Sequence, residues 1–207
     1  MAAGRSGILF VLSAPSGTGK STVARRVVAG CDLEFSVSYT TRSRRGGEQD
    51  GREYHFIDDV AFQRMADEGG FLEWAEVFGR RYGTGLASTR RALDAGRDLL
   101  LDIDVAGARQ VRRGPFDAVT IMLFPPDQHT LAARLEGRDT ETDAERAGRL
   151  ARARAEMEQF TQFDYVVVND DLEGTVADLG AIVRVERLRS SRAASRASAV
   201  LATFPSA

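Results

Sequence analysis

A glycine-rich segment near the N-terminus constrains the fold more than any other part of the chain; it reads Ala14-Pro15-Ser16-Gly17-Thr18-Gly19-Lys20-Ser21-Thr22. Before it, residues 7–13 form an apolar run with β-branched and aromatic members, which predicts a buried strand. After it, apolar residues recur at helical spacing, at Val23, Ala24, Val27 and Val28. Strand, glycine loop and helix in this order predict a loop whose backbone N–H groups surround a phosphate group.

The residue types in this loop indicate a nucleoside triphosphate, and residues 14–22 together form the predicted ATP site. In the pattern G-x-x-x-x-G-K-[ST], the lysine reaches the β- and γ-phosphates and the hydroxyl ligates Mg²⁺. Lys20 and Ser21 stand at those positions, and Lys20 is the single lysine among 28 Lys and Arg residues. Ala14 replaces the first glycine of the pattern, so we expect no positive φ at residue 14.

Composition restricts the size of the fold, the class of ligand and the cellular compartment. A chain of 207 residues that is 43% hydrophobic predicts one core with a small inserted lobe. The net charge of −2 provides no field for binding nucleic acid or an anionic membrane, so small-molecule substrates are expected. No segment approaches the roughly 20 apolar residues of a membrane span. The single Cys31 cannot form an internal disulfide, which indicates a reducing compartment and a cytoplasmic location.

Two other kinds of chemistry find no support in the sequence. A catalytic Cys31 would need a base and an orienting group, and the chain has only two histidines, His55 and His129. These histidines are far apart in the sequence and lack neighbours with ligand-like spacing, which argues against a zinc site. We therefore interpret Cys31 as a small packing residue.

The acceptor is indicated by a polar, glycine-rich and aromatic stretch, residues 36–56, which predicts a binding surface made of short strands. Its pattern, S-x-S-x-T-T-R-x-x-R-x-G-E followed by G-x-x-Y-x-F, resembles that of guanylate kinases. The resemblance continues through Phe71-Leu72-Glu73-Trp74-Ala75, Tyr82-Gly83-Thr84, Leu101-Asp102-Ile103-Asp104, residues 136–142 and Val168-Asn169-Asp170-Asp171. It covers roughly residues 8–188.

The resemblance implies an enzyme that phosphorylates GMP to GDP with ATP and Mg²⁺, in purine metabolism and GMP recycling. It makes dGMP an expected further acceptor. The implied contacts to the GMP phosphate are Arg42, Arg45, Tyr54 and Tyr82. Guanidinium groups and phenols suit phosphate, because they supply paired and neutral hydrogen-bond donors. The implied contacts to the base are Ser38, Glu73 and Thr84, and Gly83 belongs to the same implied GMP-binding set. One carboxylate can accept from both N1–H and the amino group of guanine, so GMP is expected over AMP.

Further roles follow from the resemblance at the strand ends and in the lid. Asp104 corresponds to another nucleotide contact, and Asp102 is expected to help to organise Mg²⁺ through water. Arg134, Arg138 and Arg149 match arginines that close over the phosphates and the adenine, and Asn169 belongs to the ATP-binding set. The residues implied in catalysis are Lys20, Arg42, Arg138 and Arg149, which place positive charge on the transferring oxygens.

The expected fold is an α/β nucleoside-monophosphate-kinase fold with a P-loop and a parallel sheet flanked by helices. Further strands are predicted at residues 98–102, 118–124 and 165–168. The core comprises residues 1–36 and 88–207, a GMP-binding insert comprises residues 37–87, and residues 137–149 form a mobile lid. Phe71 and Trp74 are expected to pack the small core of the insert.

Several alternatives stay open. Guanylate-kinase-like domains also act as interaction modules without activity, although the complete phosphate loop argues against that class. A kinase acting on another phosphorylated acceptor, such as a ribose bisphosphate, would not need Ser38, Glu73 and Thr84. Ala106 replaces a glutamine common in the family, which puts one supporting contact in doubt. The Ala/Ser/Arg tail after Arg189 is either a frayed helix end or an oligomer contact. The choice between monomer and homo-oligomer is left open.

Overall fold

The computed structural model describes residues 5–77, 79–135 and 143–205, without the side chain of Asp143. Its strands are β1 (Leu9–Ser13), β2 (Glu34–Phe35), β3 (Ser38–Thr40), β4 (Tyr54–Phe56), β5 (Phe71–Val77), β6 (Arg80–Gly85), β7 (Leu99–Ile103), β8 (Ala118–Phe124) and β9 (Tyr165–Val168). Its helices are α1 (Lys20–Cys31), α2 (Asp59–Asp67), α3 (Leu86–Asp94), α4 (Val105–Arg112), α5 (Gln128–Leu135), α6 (Asp143–Met157), α7 (Leu172–Leu188) and α8 (Ser190–Leu201).

The apolar strands assemble into a parallel sheet with the order β2-β7-β1-β8-β9. The central strand β1 is buried along its whole length, because helices cover both of its faces. Phe10 and Leu12 pack against α1 and α7, while Leu9 and Val11 pack against α3 and α4. The predicted parallel sheet flanked by helices is thus confirmed.

The strand register places the functional segments at one edge of this sheet. Leu12 of β1 lies beside Asp102 of β7, and Ser13 lies beside Ile103. Because parallel strands end at the same edge, the glycine loop after β1 and the carboxylates at the end of β7 come together there.

A second sheet, with the order β4-β3-β6-β5, contains strands that all lie between residues 38 and 85. It is mixed, since β3 pairs with β4 in parallel and with β6 in antiparallel fashion. Phe62 of α2 is buried on this sheet, with Phe71 stacked on it at 4.4 Å and Trp74 against its edge at 6.0 Å between ring centroids. Phe71 packs as expected, whereas Trp74 touches Phe62 but is 39% exposed and so lies at the margin of this core. The limits of the insert as a domain stay a prediction.

A buried carboxylate ties the first described residues to the end of α7. The Asp98 side chain accepts hydrogen bonds from Arg5, from the Ile8 N–H at 2.8 Å and from Arg187 Nε at 2.7 Å. Burial alone would raise the pKa of Asp98, but these donors outweigh it and hold the pKa below its usual value. We call these four residues the Asp98 cluster; it closes the core opposite the glycine loop.

The Ala/Ser/Arg tail forms helix α8, which is attached at its first turn. Arg192 forms ion pairs with fully buried Glu186 of α7 and, at 2.9 Å, with Asp117 before β8. From Ala194 onward the described residues of the tail are exposed. Of the helices that the structure describes, none is both long and apolar enough to cross a membrane.

Candidate active site

The glycine loop between β1 and α1 has the backbone geometry expected of a phosphate cradle. Gly17 has a φ of +87° and Gly19 a φ of +91°, and both values lie in the left-handed region that favours glycine. Ala14 is not among the described residues with positive φ, as predicted for the position where the motif departs from its pattern. A Cβ on Gly17 would also lie 2.7 Å from Leu135 Cδ2 of α5, so this turn has no room for a side chain.

Two of the predicted ATP-binding residues support the loop from behind. The carbonyl of Thr18 accepts hydrogen bonds from Asn169 Nδ2 at 2.7 Å and from Arg134 Nη1 at 3.2 Å. Thr175 donates a hydrogen bond of 3.1 Å to Oδ1 of Asn169, so the Asn169 amide is bonded at both ends. In this structure Arg134 and Asn169 hold the shape of the loop.

At the mouth of the loop, Lys20 and Ser21 meet the carboxylate at the end of β7. Lys20 Nζ forms an ion pair with Asp102 Oδ1, and the Ser21 hydroxyl donates a hydrogen bond of 2.8 Å to Oδ2. The Asp104 side chain begins α4 by accepting a hydrogen bond from the Gly107 N–H at 2.7 Å. An ammonium, a hydroxyl and a carboxylate therefore meet at the mouth of the loop, and two of them, from Lys20 and Asp102, line a cavity.

This cavity, with a volume of about 240 Å³, joins the two sheets. It is lined by Lys20, Ser38, Tyr54, Glu73, Ala75, Val77, Tyr82, Gly83, Asp102, Ile103 and Asp104. The fold thus brings together one residue of the predicted ATP site and most of the predicted GMP site, from segments far apart in the sequence. Ala75, Val77 and Ile103 line it as well, although no role was predicted for these apolar side chains.

Glu73 is the most buried carboxylate of the cavity, with 6% of its surface exposed. Its Oε1 accepts a hydrogen bond of 2.6 Å from the Thr84 hydroxyl of the neighbouring strand β6. Burial raises the pKa of Glu73, although the hydrogen bonds from Thr84 oppose that shift. On its other side, a Cβ on Gly107 of α4 would lie 2.8 Å from Glu73 Oε2, so a larger residue there would displace the carboxylate.

Tyr54 and Tyr82 line the cavity together with Lys20, and Arg42 lies beside Tyr54 outside the lining; we call these two tyrosines and Arg42 the polar wall. The Arg42 guanidinium lies 5.4 Å from the ring centroid of Tyr54, and the Tyr54 and Tyr82 rings pack edge to face at 5.9 Å. Burial raises the pKa of Tyr54, which keeps this phenol a neutral donor.

Glu48, the last residue of the motif that begins at Ser36, had no predicted role and lies against Arg42. Arg42 donates two hydrogen bonds to its carboxylate, Nη2 to Oε1 at 2.7 Å and Nη1 to Oε2 at 3.1 Å. The Arg45 N–H donates a third, of 2.7 Å, to Oε2. These donors lower the pKa of Glu48 and fix the plane of the Arg42 fork. Its position three residues after Arg45 was the sequence signal that could have indicated this contact.

The remaining predicted residues lie farther from the cavity or outside the described chain. The side chain of Arg45 is exposed on the loop after β3. Arg149 of α6 donates a hydrogen bond of 3.3 Å to the carbonyl of Leu135, at the end of α5. Arg138 and the first part of the predicted lid, up to residue 142, lie outside the described residues.

Comparison with known proteins places this site in a family. The family model described as guanylate kinase matches residues 6–186. The chain is 51% identical to the guanylate kinase of Chromobacterium violaceum, over 89% of either chain. It is 46% identical to that of Syntrophotalea carbinolica, over 93% of this chain and 92% of the relative. A crystal structure of guanylate kinase from Anaplasma phagocytophilum superimposes with a TM-score of 0.71 at 33% identity, covering 91% of this chain and 90% of the other. With the cavity and its phosphate loop, these matches show that the chain belongs to the guanylate kinase family.

Proposed function

We propose that this chain transfers the γ-phosphoryl group of ATP to GMP, forming ADP and GDP, in the cavity between its two sheets. One observation carries the proposal: Lys20 of the phosphate loop and the buried carboxylate of Glu73 line the same cavity. The first is suited to the phosphates of a nucleoside triphosphate and the second to a base with two adjacent donors. The family relationship supports the same conclusion.

The acceptor base is read by Glu73, with Thr84 and Ser38 beside it. Guanine presents N1–H and an amino group side by side, and Glu73 Oε2 is the oxygen that the Thr84 hydroxyl does not bind. Adenine has an acceptor at N1 and would leave the buried carboxylate without its donors, which costs affinity. This is the basis for the expected preference for GMP.

The acceptor phosphate is assigned to Arg42, Tyr54 and Tyr82, and Arg45, exposed on the loop in this structure, would join them when GMP binds. Glu48 occupies one edge of the Arg42 guanidinium and thereby presents the fork in one orientation. A guanidinium held in this way binds a phosphate at lower entropic cost than a freely rotating one.

The donor phosphates are assigned to the backbone N–H groups of residues 14–22 and to Lys20. The ammonium of Lys20 is paired with Asp102 in this structure and would exchange that partner for phosphate oxygens when ATP binds. Arg134 and Asn169 then act by holding the Thr18 carbonyl, and so the loop, in place.

The residues beside the loop fit Mg²⁺. The Ser21 hydroxyl and the Asp102 carboxylate are hard oxygen donors placed next to each other. Mg²⁺ in kinases takes few protein ligands and fills its shell with phosphate oxygens and water. Among the described residues no group of three or more acidic, histidine or cysteine side chains forms a metal site by itself, and such a shell does not require one. When bound, the ion would neutralise charge on the phosphates.

Transfer itself needs positioning and positive charge. An oxygen of the GMP phosphate attacks the γ-phosphorus while the bond from that phosphorus to the β-bridging oxygen breaks, and ADP leaves with the electron pair. The attacking phosphate oxygen is already anionic, so no general base is required. Lys20 and Arg42 stabilise the charge shared between the two nucleotides, and Arg138 and Arg149 are proposed to add to it from the lid. Phosphorylation of dGMP is part of the same proposal.

A coupled assay of ADP release tests the proposal, with ATP, Mg²⁺ and each of GMP, AMP, CMP and UMP. We expect GMP alone to support rapid turnover, and Lys20→Met to lower kcat by roughly a hundredfold or more with an unchanged unfolding transition. Folded, ATP-binding protein that releases no ADP with GMP would overturn the assignment and favour an interaction module.

A further inference from the structure

The side chain of Gln110 on α4 makes a two-point contact with the strand that carries Glu73. Its Oε1 accepts a hydrogen bond of 3.1 Å from the Trp74 N–H, and its Nε2 donates one of 2.9 Å to the Trp74 carbonyl. We call this pair of hydrogen bonds the Gln110 bridge. It satisfies both backbone groups of Trp74 in the way that a neighbouring strand would.

The bridge acts where the sheet leaves β5 unsupported. β5 is the edge strand of its sheet, so β6 pairs with only one of its sides. Even that pairing is irregular next to Glu73, since the register between β5 and β6 shifts between Phe71 and Glu73. Such irregularities re-aim the side chains beside them, and the direction of Glu73 therefore depends on further contacts.

These further contacts come from α4. The Glu73 carboxylate lies against Gly107, where a Cβ would approach Oε2 to 2.8 Å, and Gln110 is one helical turn further along. Asp104 caps the N-terminus of this helix, directly after β7, the strand that contains Asp102. The position of the Glu73 carboxylate is therefore set by α4, the helix that directly follows Asp102 and Asp104.

We infer that Gln110 is a positioning residue for base recognition, which fixes β5 on α4 so that Glu73 Oε2 meets the N1–H and amino donors of guanine. This inference rests on the proposed function. Gln110 is not among the residues that line the cavity and acts through the Trp74 backbone. Its removal should weaken recognition of the guanine amino group more than the binding of nucleotides in general.

Comparison of GMP with IMP tests this role, because hypoxanthine keeps N1–H but lacks the amino group. Gln110→Met preserves the length of the side chain and removes both hydrogen bonds. We expect the ratio of kcat/KM for GMP over IMP to fall about tenfold, through the KM for the acceptor, with the KM for ATP unchanged. Gln110→Ala gives the same readout if the methionine variant does not fold.

Gln63→Met is the matched control, since Gln63 also uses both ends of its amide, with Arg81 and Asp67 on the outside of the insert. It should leave the GMP over IMP ratio unchanged. In a Glu73→Gln background, Gln110→Met should produce no further change in the ratio, because the two residues act through one contact. A ratio equal to that of the parent in folded, active Gln110→Met would refute the inference alone, whereas a parent inactive with GMP would refute the proposed function first.

Discussion

The Thr84 hydroxyl holds one oxygen of the Glu73 carboxylate through a hydrogen bond of 2.6 Å and leaves the other directed toward α4 and the cavity. A carboxylate buried in this way destabilises the ligand-free fold, and it binds the ligand strongly once the ligand supplies hydrogen-bond donors. Stability and recognition therefore oppose each other at this residue.

The substitution Glu73→Gln should raise the stability of the ligand-free chain and lower its activity toward GMP. Burial raises the pKa of Glu73 above the unfolded value, so the folded chain binds the proton more tightly and its stability declines as the pH rises through that interval. The neutral amide removes this loss, and the melting temperature of the ligand-free variant should exceed that of the parent at pH 8. Its kcat/KM for GMP should fall by roughly a hundredfold. A variant that loses stability as well as activity would contradict this account.

Binding of GMP should depend on pH through the same group. Only the ionised carboxylate accepts both donors of guanine, so affinity should decrease as the pH falls through the raised pKa of Glu73. GMP binding should release a proton within that interval, which calorimetry in buffers of different ionisation enthalpy measures. The GMP phosphate also titrates, at about pH 6, and parallel measurements on Glu73→Gln subtract its contribution. Equal proton release by parent and variant would show that Glu73 does not titrate on binding.

Glu48 should matter for the acceptor phosphate although it carries the same charge as the phosphate. Glu48→Gln weakens the two hydrogen bonds that orient Arg42, and we expect the KM for GMP to rise about tenfold with little change in the KM for ATP. Glu53→Gln on the same loop is the control, because Glu53 accepts from the Gln49 N–H and pairs with Arg52 at the surface. A lower KM in Glu48→Gln would mean that Glu48 competes with the substrate instead of orienting Arg42.

The Asp98 cluster should contribute strongly to stability. Asp98→Ala leaves the Ile8 N–H and two guanidinium groups without their shared acceptor, and the free energy of unfolding should drop by about 3 kcal/mol. Because the pKa of Asp98 is lowered in the folded chain, this contribution is present above its unfolded pKa and is lost as the pH falls through the folded one. Urea unfolding measures both effects. Glu34→Ala, which breaks the exposed pair with Arg97, should cost less than about 1 kcal/mol.

Attachment of α8 should depend on Arg192. Its loss leaves Glu186, which has no exposed surface, with Arg189 and the Tyr165 hydroxyl as partners, and Arg192→Met should cost about 2 kcal/mol. Arg196→Met, one turn further on the exposed part of the same helix, should stay within about 0.5 kcal/mol of the parent. Chemical denaturation of both variants tests this, and equal effects would mean that the helix is held elsewhere.

Much of this structure could be predicted because local signals and tertiary packing agree. The buried strands were visible as apolar runs, and the last two coincide with β8 and β9. Lys20, Glu73 and Asp102 were found through motifs, since their chemistry restricts both residue type and spacing. The meeting of Lys20 and Asp102 follows from parallel strands that end at one edge, whereas Glu73 reaches the same cavity from β5 of the second sheet.

The contacts that lacked such signals were missed for a physical reason. Gln110 bonds to the backbone of Trp74, 36 residues away. Because every residue type has the same backbone groups, such a contact does not restrict the residue type at position 74. The supporting roles of Arg134 and Asn169 depend on the Thr18 carbonyl in the same way. The sequence left two interpretations of the tail open, because ion pairs of Arg192 with buried Glu186 and with Asp117 decide where helix α8 attaches.

The ion pair between Lys20 and Asp102 has a consequence for the chemical reactivity of the chain. The side chain of Lys20 is 18% exposed, and it carries the only ε-amino group in 207 residues. Reagents that acylate or cross-link amines therefore have a single side-chain target, and that target lies at the phosphate loop. Modification of one group per molecule would abolish turnover, ATP would protect against it, and surface coupling through lysine would select for inactive protein.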